Sequence, residues 1–319
     1  MTVVGFLIIT PIAYSEMAYQ KQISFLILQL LFLTLVLASA NGNSLKLGFY
    51  LKTCPKAEAI VETVTADHIS LAPSLAAPLL RMHFHDSEKS GPPNLSLRGF
   101  QVIDAAKTAL EKACPGVVSC ADILALVARD AIYQIKVVPL GRRDGRVSIA
   151  LESLTLPAPF GNITELKAQF ASKGLSVKDL VVLSGGHTVG TSHCSTIAIR
   201  LYNFTGKGDT DPSLDPKYVP YLKSKCKPTD TTTLLEMDPG SFRTFDEAYY
   251  TNVLKRRGLF QSDAALLADK ETSAYVKLQA QSGGSTFFKD FEESMVKMGQ
   301  IGVLTGSAGE IRKHCALVN

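Results

Sequence analysis

The stretch Arg81-Met82-His83-Phe84-His85-Asp86 decides how the whole chain is interpreted. Arg81 and His85 are four residues apart, so in a helix both side chains project from one face. The neighbouring Leu80 and Phe84 would keep that face apolar. A neutral imidazole beside a permanent cation can take up a proton while the cation stabilises developing negative charge. The stretch therefore predicts a general base next to a charge-stabilising side chain.

A second histidine lies in Leu183-Ser184-Gly185-Gly186-His187-Thr188, where two glycines end an apolar segment. Glycine lets the backbone approach a flat ligand, and a neutral imidazole can bind the metal of that ligand. A base on one side and a metal ligand on the other suit a haem held between His85 and His187. Each signal is ambiguous alone, because His85 could be an ordinary core histidine and two glycines also end ordinary helices.

A zinc hydrolase built on His83 and His85 is a further interpretation of the first stretch. Side chains two positions apart on a helix point in different directions, so the two imidazoles would diverge. The sequence also lacks the H-E-x-x-H pattern that places two zinc ligands and a base on one helix face. The zinc interpretation is therefore the weaker one.

A loop further along the chain is rich in oxygen ligands. Asp238, Ser241, Thr244 and Asp246 bring carboxylate, hydroxyl and carbonyl oxygens together at short spacing. Hard oxygen ligands in a tight loop suit Ca²⁺. Taken alone, the same loop could be a solvated aspartate-rich turn.

The start of the chain is apolar. A run over residues 23–38 follows Lys21 and ends in Ala38-Ser39-Ala40, a pattern typical of a secretory signal peptide cut after Ala40. The run is shorter than the about 20 residues of a membrane span, although an uncleaved anchor is an alternative. Met17 would be a natural start. We therefore interpret residues 1–16 as an upstream extension, 17–40 as the signal peptide and 41–319 as the mature domain.

The formal net charge of +4 is scattered along the chain. It favours loose association with an anionic matrix and argues against nucleic acid as a partner. After residue 40 no apolar run is long enough for a membrane span.

All six cysteines follow the signal, so they predict three disulfides. The spacing of the cysteines alone does not determine how they pair. Sequons at Asn94, Asn162 and Asn203 are consistent with a secreted glycoprotein.

Helical periodicity predicts a mainly α protein, with little strand. The clearest strand candidate is 137–140, and 207–241 is rich in Pro, Thr, Asp and Gly, which indicates an ordered loop. Helices are predicted over residues 57–70, 74–86, 100–113, 119–131, 164–172, 176–184, 191–202, 246–255 and 286–299.

Together these segments resemble the secretory plant peroxidases, the class III haem peroxidases, over essentially all of residues 45–319. The resemblance implies a two-lobed, mainly α fold that holds haem b between a distal lobe at about 41–160 and a proximal lobe at about 161–300, followed by a tail at 301–319. The likeness rests on Leu47-Gly-Phe-Tyr50, Thr53-Cys-Pro55, Leu79-Leu-Arg-Met-His-Phe-His-Asp86, Pro93-Asn-Leu-Ser-Leu-Arg-Gly-Phe100, Cys114-Pro-Gly-Val-Val-Ser-Cys-Ala-Asp-Ile-Leu124, Pro139-Leu-Gly-Arg-Arg-Asp-Gly145, Leu156-Pro-Ala-Pro159, Leu183-Ser-Gly-Gly-His-Thr188, Gly258-Leu-Phe-Gln-Ser-Asp263 and Leu304-Thr-Gly306.

On the proximal side, the resemblance implies that His187 is the iron ligand and that Asp263 accepts a hydrogen bond from its other ring nitrogen. Such a carboxylate gives the imidazole anionic character. The resemblance also implies a proximal calcium site made by Thr188, Asp238, Ser241, Thr244 through its carbonyl, and Asp246. It pairs the cysteines as Cys54–Cys114, Cys120–Cys315 and Cys194–Cys226.

On the distal side, the resemblance makes His85 the base, Arg81 the charge stabiliser and Phe84 an apolar neighbour. Asn94 and Glu88 match the hydrogen-bond relay that keeps His85 neutral and oriented. The implied activity is reduction of H₂O₂ and one-electron oxidation of phenolic donors, which would meet the carbonyl of Pro157. We expect a monomer located outside the cell, in the cell wall or in the vacuole, with anionic cell-wall polysaccharide as a further partner.

The chain departs from the family pattern directly after Asp86. There the family has a long loop with a cysteine pair and most of the distal calcium ligands, whereas here Ser87-Glu88 follows at once. Asp86 would remain as a direct ligand and Glu88 as its outer partner, so the distal calcium site is expected to be lost. A Gly-Gly-Pro turn followed by tryptophan is also missing before Pro139, and the chain has no tryptophan.

Catalytic geometry tolerates little looseness, so we expect impaired peroxidase activity. The alternatives are a catalytically silent haem-binding or wall-associated protein, or an aberrant product of splicing or gene prediction.

Overall fold

Helices build almost all of the regular structure in the computed structural model, which describes residue 29 and residues 45–85, 94–133, 135–147 and 150–319. The chain divides into residues 1–44 and residues 45–319, and the second unit is described below. The predicted upstream extension, the signal peptide, Asp86 and Glu88 fall outside the described residues, apart from Gln29. No helix among the described residues is both long enough and apolar enough to cross a membrane.

The prediction of a mainly α fold is confirmed, while the lobe boundaries remain predictions. Two short strands pair antiparallel, and one-turn 3₁₀ segments precede or follow several helices. The α-helices are α1 Ala57–Leu71, α2 Ala76–Phe84, α3 Phe100–Ala113, α4 Cys120–Ile132, α5 Ile163–Ser172, α6 Val177–Ser184, α7 Cys194–Tyr202, α8 Val219–Lys225, α9 Ala248–Leu254, α10 Gln261–Ala265, α11 Lys270–Ser282 and α12 Phe287–Met298; the strands are β1 Thr191–His193 and β2 Leu234–Glu236.

Helix α4 is the centre of the N-terminal half, since α1, α2 and α3 all pack against it. Its side chains from Asp122 to Ala128 are buried, which explains why its sequence is apolar nearly all round. It begins at Ser119, whose hydroxyl accepts a hydrogen bond from the backbone N–H of Asp122 at 3.1 Å. Because α2 carries Arg81, this packing determines where the predicted distal side chains lie.

Helix α6 holds the corresponding place in the C-terminal half, packed against α12, α11 and α5. The turn after it passes very close to two aromatic side chains. A Cβ on Gly185 would lie 2.5 Å from Phe287 and 2.6 Å from the Tyr250 hydroxyl. Helix packing therefore requires glycine at 185, whereas the approach of this turn to a flat ligand stays a prediction.

Two predictions around the disulfide Cys194–Cys226 are wrong in part. Residues 191–193, predicted as the first turn of a helix, form β1 and pair with β2 from the predicted loop 207–241. That loop also contains α8. The partner strand lies some forty positions away in the sequence, so local periodicity carries no signal for either strand.

One predicted strand is absent from the structure, and one observed helix was not predicted. Residues 137–140 are not a strand, because only Leu140 makes a bridge, with Lys46. Helix α11 was not predicted. Its sequence is polar, and only Thr272, Val276 and Gln279 are buried. Its apolar face is therefore too narrow for the helix to be recognised from the sequence.

Three disulfides close the fold, and no described cysteine is free. The bridges join Cys54 to Cys114, Cys120 to Cys315 and Cys194 to Cys226, which is the pairing that the resemblance implies. Cys120–Cys315 links the start of α4 to the C-terminal tail across 195 positions.

His83 points away from Arg81 and His85 and into the protein interior. It is 9% exposed, and its Nδ1 atom has no hydrogen-bond partner. Burial, and then the charge of Arg142, lower the pKa of His83 from 6.5 to about 3. The folded protein therefore keeps this imidazole neutral at a pH where the unfolded chain protonates it.

We predict that His83 makes the fold sensitive to acid. Because the unfolded chain binds the extra proton, the free energy of unfolding falls as pH decreases from about 6.5 towards about 3. In a His83→Leu variant this contribution is absent, so the loss of stability between pH 7 and pH 5 is smaller in urea titrations of the haem-loaded protein. His314→Asn, at an exposed histidine, is the control. Equal pH dependence in wild type and His83→Leu would contradict the prediction.

Candidate functional site

The distal residues lie at the end of α2. The helix ends at Phe84, and His85 follows it with its backbone N–H donating to the carbonyl of Arg81 at 3.0 Å. The Nε atom of Arg81 donates to Nε2 of His85 at 3.3 Å. The Phe84 ring meets the His85 ring edge-on, with centroids 5.4 Å apart. The structure thus brings the three predicted side chains together, as the four-residue spacing suggested.

Asn94 determines the protonation of His85. Its Oδ1 lies 2.7 Å from His85 Nδ1, and both residues are buried. Since an amide oxygen can only accept, Nδ1 carries the proton and Nε2 keeps its lone pair. Burial, and next the charge of Arg81, lower the pKa of His85 to about 4, against the opposite effect of Asn94. At neutral pH His85 is therefore a neutral base whose lone pair on Nε2 accepts the hydrogen bond from Nε of Arg81.

Two observations around Asn94 go beyond the sequence. Asn94 is 1% exposed, so this sequon is not available for a glycan, whereas Asn162 and Asn203 are exposed. Ser96 accepts a hydrogen bond from Nη1 of Arg81 at 2.9 Å, which helps to hold the guanidinium. The sequence marked Ser96 only as part of the Asn94 sequon and did not predict its contact with Arg81.

The proximal residues gather around the carboxylate of Asp263, which is 1% exposed. His187, in the 3₁₀ turn Gly185–Thr188, places its Nδ1 2.8 Å from Oδ1 of Asp263. The hydroxyl of Tyr249 donates to the same oxygen at 3.0 Å, and the N–H of Phe260 donates to Oδ2 at 2.8 Å. Burial alone would raise the pKa of Asp263, but His187 and these hydrogen bonds outweigh burial and hold it below its usual value.

This arrangement fits an imidazole that ligates a metal. With Nδ1 donating to a carboxylate, Nε2 of His187 keeps a lone pair for a ligand. The ring is fixed edge-on by Phe260 and Tyr249, at centroid distances of 5.0 and 5.9 Å. The His187 side chain is 36% exposed although Asp263 behind it is buried, so the ring emerges from the interior. Tyr249 was not predicted, because it lies in a helix with no motif of its own.

The turn that carries His187 packs directly against α2. A Cβ on Gly186 would lie 3.8 Å from Leu80, and one on Gly190 would lie 2.8 Å from Ala77. Gly186, next to His187, and Gly190, three residues beyond it, therefore lie against the helix that carries Arg81. A flat ligand held between His85 and His187 stays a prediction.

The predicted proximal calcium ligands lie next to His187. The hydroxyl of Thr188 is 2.9 Å from Oδ1 of Asp246 and 3.4 Å from Oδ2 of Asp238. Burial, and next the carboxylate of Asp246, raise the pKa of Asp238. The backbone N–H of Ser241 donates to the Asp238 carbonyl at 3.2 Å, and that of Thr244 to the Ser241 carbonyl at 2.7 Å. Two close carboxylates with hydroxyl and carbonyl oxygens fit Ca²⁺.

No three described His, Cys, Asp or Glu side chains gather into a metal cluster. Pro157 is half-buried after the 3₁₀ segment Ala150–Thr155. Pro159, two residues on, accepts a hydrogen bond from the N–H of Ser262 at 3.0 Å. The segment of the predicted donor site is thus tied to the residue before Asp263.

Comparison with known proteins gives the family. A profile of the peroxidase family matches residues 60–282. The chain belongs to the plant peroxidases. It is 59% identical to Peroxidase 27 of Arabidopsis thaliana, covering 92% of this chain and 98% of that protein. It is 57% identical to Peroxidase 56 of the same plant, over 92% and 97%, and 52% identical to Peroxidase 1 of Oryza sativa subsp. japonica, over 91% and 98%.

Membership in the plant peroxidase family confirms the predictions of a haem peroxidase fold and of haem-dependent peroxidase activity. It implies haem and calcium as cofactors, and H₂O₂ and small electron donors as substrates. It also removes the basis of the zinc hydrolase interpretation. The match to Peroxidase 27 extends over 316 residues yet takes in only 92% of this 319-residue chain, so it includes residues of that relative without a counterpart here.

We predict that Asn94→Ala slows the reaction of the haem-loaded protein with H₂O₂ by about tenfold or more, a part of the 10²–10⁴ that general acid–base catalysis contributes. Without the amide oxygen, His85 loses the partner that holds its proton on Nδ1. Stopped-flow absorbance at increasing H₂O₂ concentration measures the rate. Asn162→Ala, at an exposed asparagine, is expected to react like wild type. An unchanged rate in Asn94→Ala would show that His85 needs no such partner.

We also predict that Ca²⁺ stabilises the protein through Asp238. At saturating Ca²⁺ the melting temperature of wild type rises on the order of 5–10 °C above that of the metal-depleted protein. In Asp238→Asn the rise disappears, and the metal-depleted variant melts no lower than metal-depleted wild type, because repulsion from Asp246 is relieved. Asp67→Asn, on the exposed side of α1, keeps the full rise. A calcium effect that persists in Asp238→Asn would place the ion elsewhere.

Proposed function

We propose that this chain is a secreted peroxidase that binds haem b, reduces H₂O₂ and oxidises phenolic donors in one-electron steps. The observation that supports it most is that the two histidines of the site have different partners. His85 is neutral and hydrogen-bonded to an amide, next to Arg81. His187 is hydrogen-bonded to a buried carboxylate. His85 is therefore suited to move protons, and His187 is suited to bind a metal.

The chain's own residues account for the proton movements. Haem bound through Nε2 of His187 would supply the two electrons that reduce H₂O₂. Nε2 of His85 takes a proton from one oxygen of H₂O₂ and returns it to the other oxygen, which leaves as water. The Arg81 guanidinium stabilises the negative charge that develops as the O–O bond breaks. Two phenols then restore the electrons, and each gives one electron and one proton, so that the second oxygen of H₂O₂ also leaves as water.

The proximal side sets the electronic properties of the ligand. Asp263 draws the Nδ1 proton of His187 towards itself, so the imidazole becomes a stronger donor to a metal. Thr188 follows His187 directly and shares its turn with the proposed calcium site. A cation bound there by Thr188, Asp238, Ser241, Thr244 and Asp246 would fix the backbone next to the ligand.

We propose that the distal calcium site is lost and that activity is reduced. Asp86 is followed at once by Ser87-Glu88, without the cysteine-containing loop of the family. The surplus residues of Peroxidase 27 in the alignment support such a deletion. In addition, His85 lies one residue beyond the last helical residue of α2, where a following loop would normally restrain it. A single Ca²⁺ per chain is the corresponding expectation.

Location and partners complete the proposal. The predicted signal peptide at 17–40, the three disulfides and the named relatives support a protein that acts outside the cell, in the wall or vacuole, and we propose that it is a monomer. The net charge of +4 supports a loose association with anionic wall polysaccharide. The second candidate is a catalytically silent haem-binding protein of the wall, which only the missing loop favours.

The reaction of the haem with H₂O₂ distinguishes the two candidates. Residues 41–319 are produced with haem and Ca²⁺, and the Soret band is followed after mixing with H₂O₂. We expect a rapid shift that a phenol reverses, and a much slower shift in His85→Leu. A Soret band that is present but does not respond to H₂O₂ would favour the silent protein.

A further inference from the structure

Two positively charged segments that are distant in the sequence meet on one surface. Lysines occur at 217, 223, 225 and 227 in and around α8, and residues 255–257 are Lys-Arg-Arg. The N–H of Asp215 donates to the carbonyl of Arg256 at 2.9 Å, and Arg257 forms an ion pair with Asp215 at 3.0 Å. The side chain of Arg256 also donates to the carbonyls of Ser213 and Leu214, each at 3.0 Å. The scattered charge seen in the sequence is therefore concentrated by folding.

Tyrosine rings lie between these cations. Tyr218 and Tyr221 stack with centroids 5.4 Å apart, and Tyr221 is 46% exposed. Nζ of Lys225 lies 5.8 Å from the centre of the Tyr221 ring, and the Arg257 guanidinium lies 5.5 Å from that of Tyr218. With Lys223 over Tyr202, this surface holds three of the four cation–π pairs recorded for the described residues.

The surface stands on a rigid base. Beneath it, a small hydrophobic cluster includes Leu222 and the buried Cys194–Cys226 disulfide. The hydroxyl of Tyr202 donates to the carbonyl of Cys226 at 2.5 Å. A binding surface of this kind loses little conformational freedom when a partner docks.

Few carboxylates neutralise the surface. Asp215 is paired with Arg257, whereas Glu236, which accepts a hydrogen bond from the N–H of Gly240, keeps its negative charge near Tyr218. Within the described part of the chain, Lys217, Lys225 and Lys227 form no ion pair, and all three are exposed. Their charge is therefore available to an anionic partner.

We propose that the cationic tyrosine surface, made of Lys217, Tyr218, Tyr221, Lys223, Lys225 and Arg257, binds a linear polyuronate. Such a polymer presents one carboxylate per sugar to the lysines, and the flat apolar face of a pyranose to Tyr221. The identification of the partner rests on the extracellular location in the proposed function. These residues give a specific location to the polysaccharide binding that the net charge alone assigns to no part of the chain.

Calorimetric titration of the haem-loaded protein with polygalacturonate at low ionic strength tests the surface. We expect binding that added salt weakens, and no binding to the fully methyl-esterified polymer. Lys217→Glu/Lys225→Glu is expected to lower affinity by about tenfold or more. Lys52→Glu/Lys56→Glu, which changes net charge equally at exposed lysines elsewhere, is expected to bind like wild type. Tyr221→Ala, with net charge unchanged, is expected to weaken binding as well.

The proposal is overturned if both lysine pairs weaken binding equally, if Tyr221→Ala binds like wild type, or if sulfated dextran binds and polygalacturonate does not. Binding is measured without turnover, and an intact Soret band in each variant verifies folding. The two proposals can therefore fail separately. An active peroxidase that does not bind the polymer would contradict only the binding surface, and a silent protein that binds it would contradict only the proposed activity.

Discussion

The buried carboxylate of Asp263 is the interaction on which the site depends. It accepts hydrogen bonds from His187, Tyr249 and the backbone of Phe260, which come from three separate parts of the chain. An unpaired charge at this depth would be strongly destabilising, so the three donors must be in place together. The carboxylate therefore orients the His187 ring and also joins the turn after α6 to α9 and to the start of α10.

The two histidines show how one residue type acquires two roles from its neighbours. An amide oxygen on Nδ1 orients His85 without adding a negative charge, and Arg81 opposes protonation, so the ring stays neutral. A carboxylate on Nδ1 makes His187 a stronger electron donor instead. The close packing of Gly186 and Gly190 against α2 also brings the turn that carries His187 against the helix that carries Arg81. Local chemistry and helix packing thus act together.

Much of this arrangement could be predicted from sequence, because it depends on short spacings. Arg81 and His85 share a face through helical periodicity, and Thr188 is adjacent to His187. The features that were not predicted depend on contacts between residues that are distant in the sequence. Tyr249 and Ser96 contribute through contacts across the fold, and β1 exists only because β2 pairs with it. The calcium and iron ligands were reached through the family resemblance rather than through spacing alone.

The loss of a loop after Asp86 is part of the proposed function, and the hydrogen bonds described for Asp263 come from other parts of the chain. The reduction potential of the haem iron, measured by spectroelectrochemical titration, tests the central role of Asp263 most directly. Removal of the negative charge in Asp263→Asn is predicted to raise the potential, while Asp263→Glu stays closer to wild type. Equal potentials in wild type and Asp263→Asn would contradict the account.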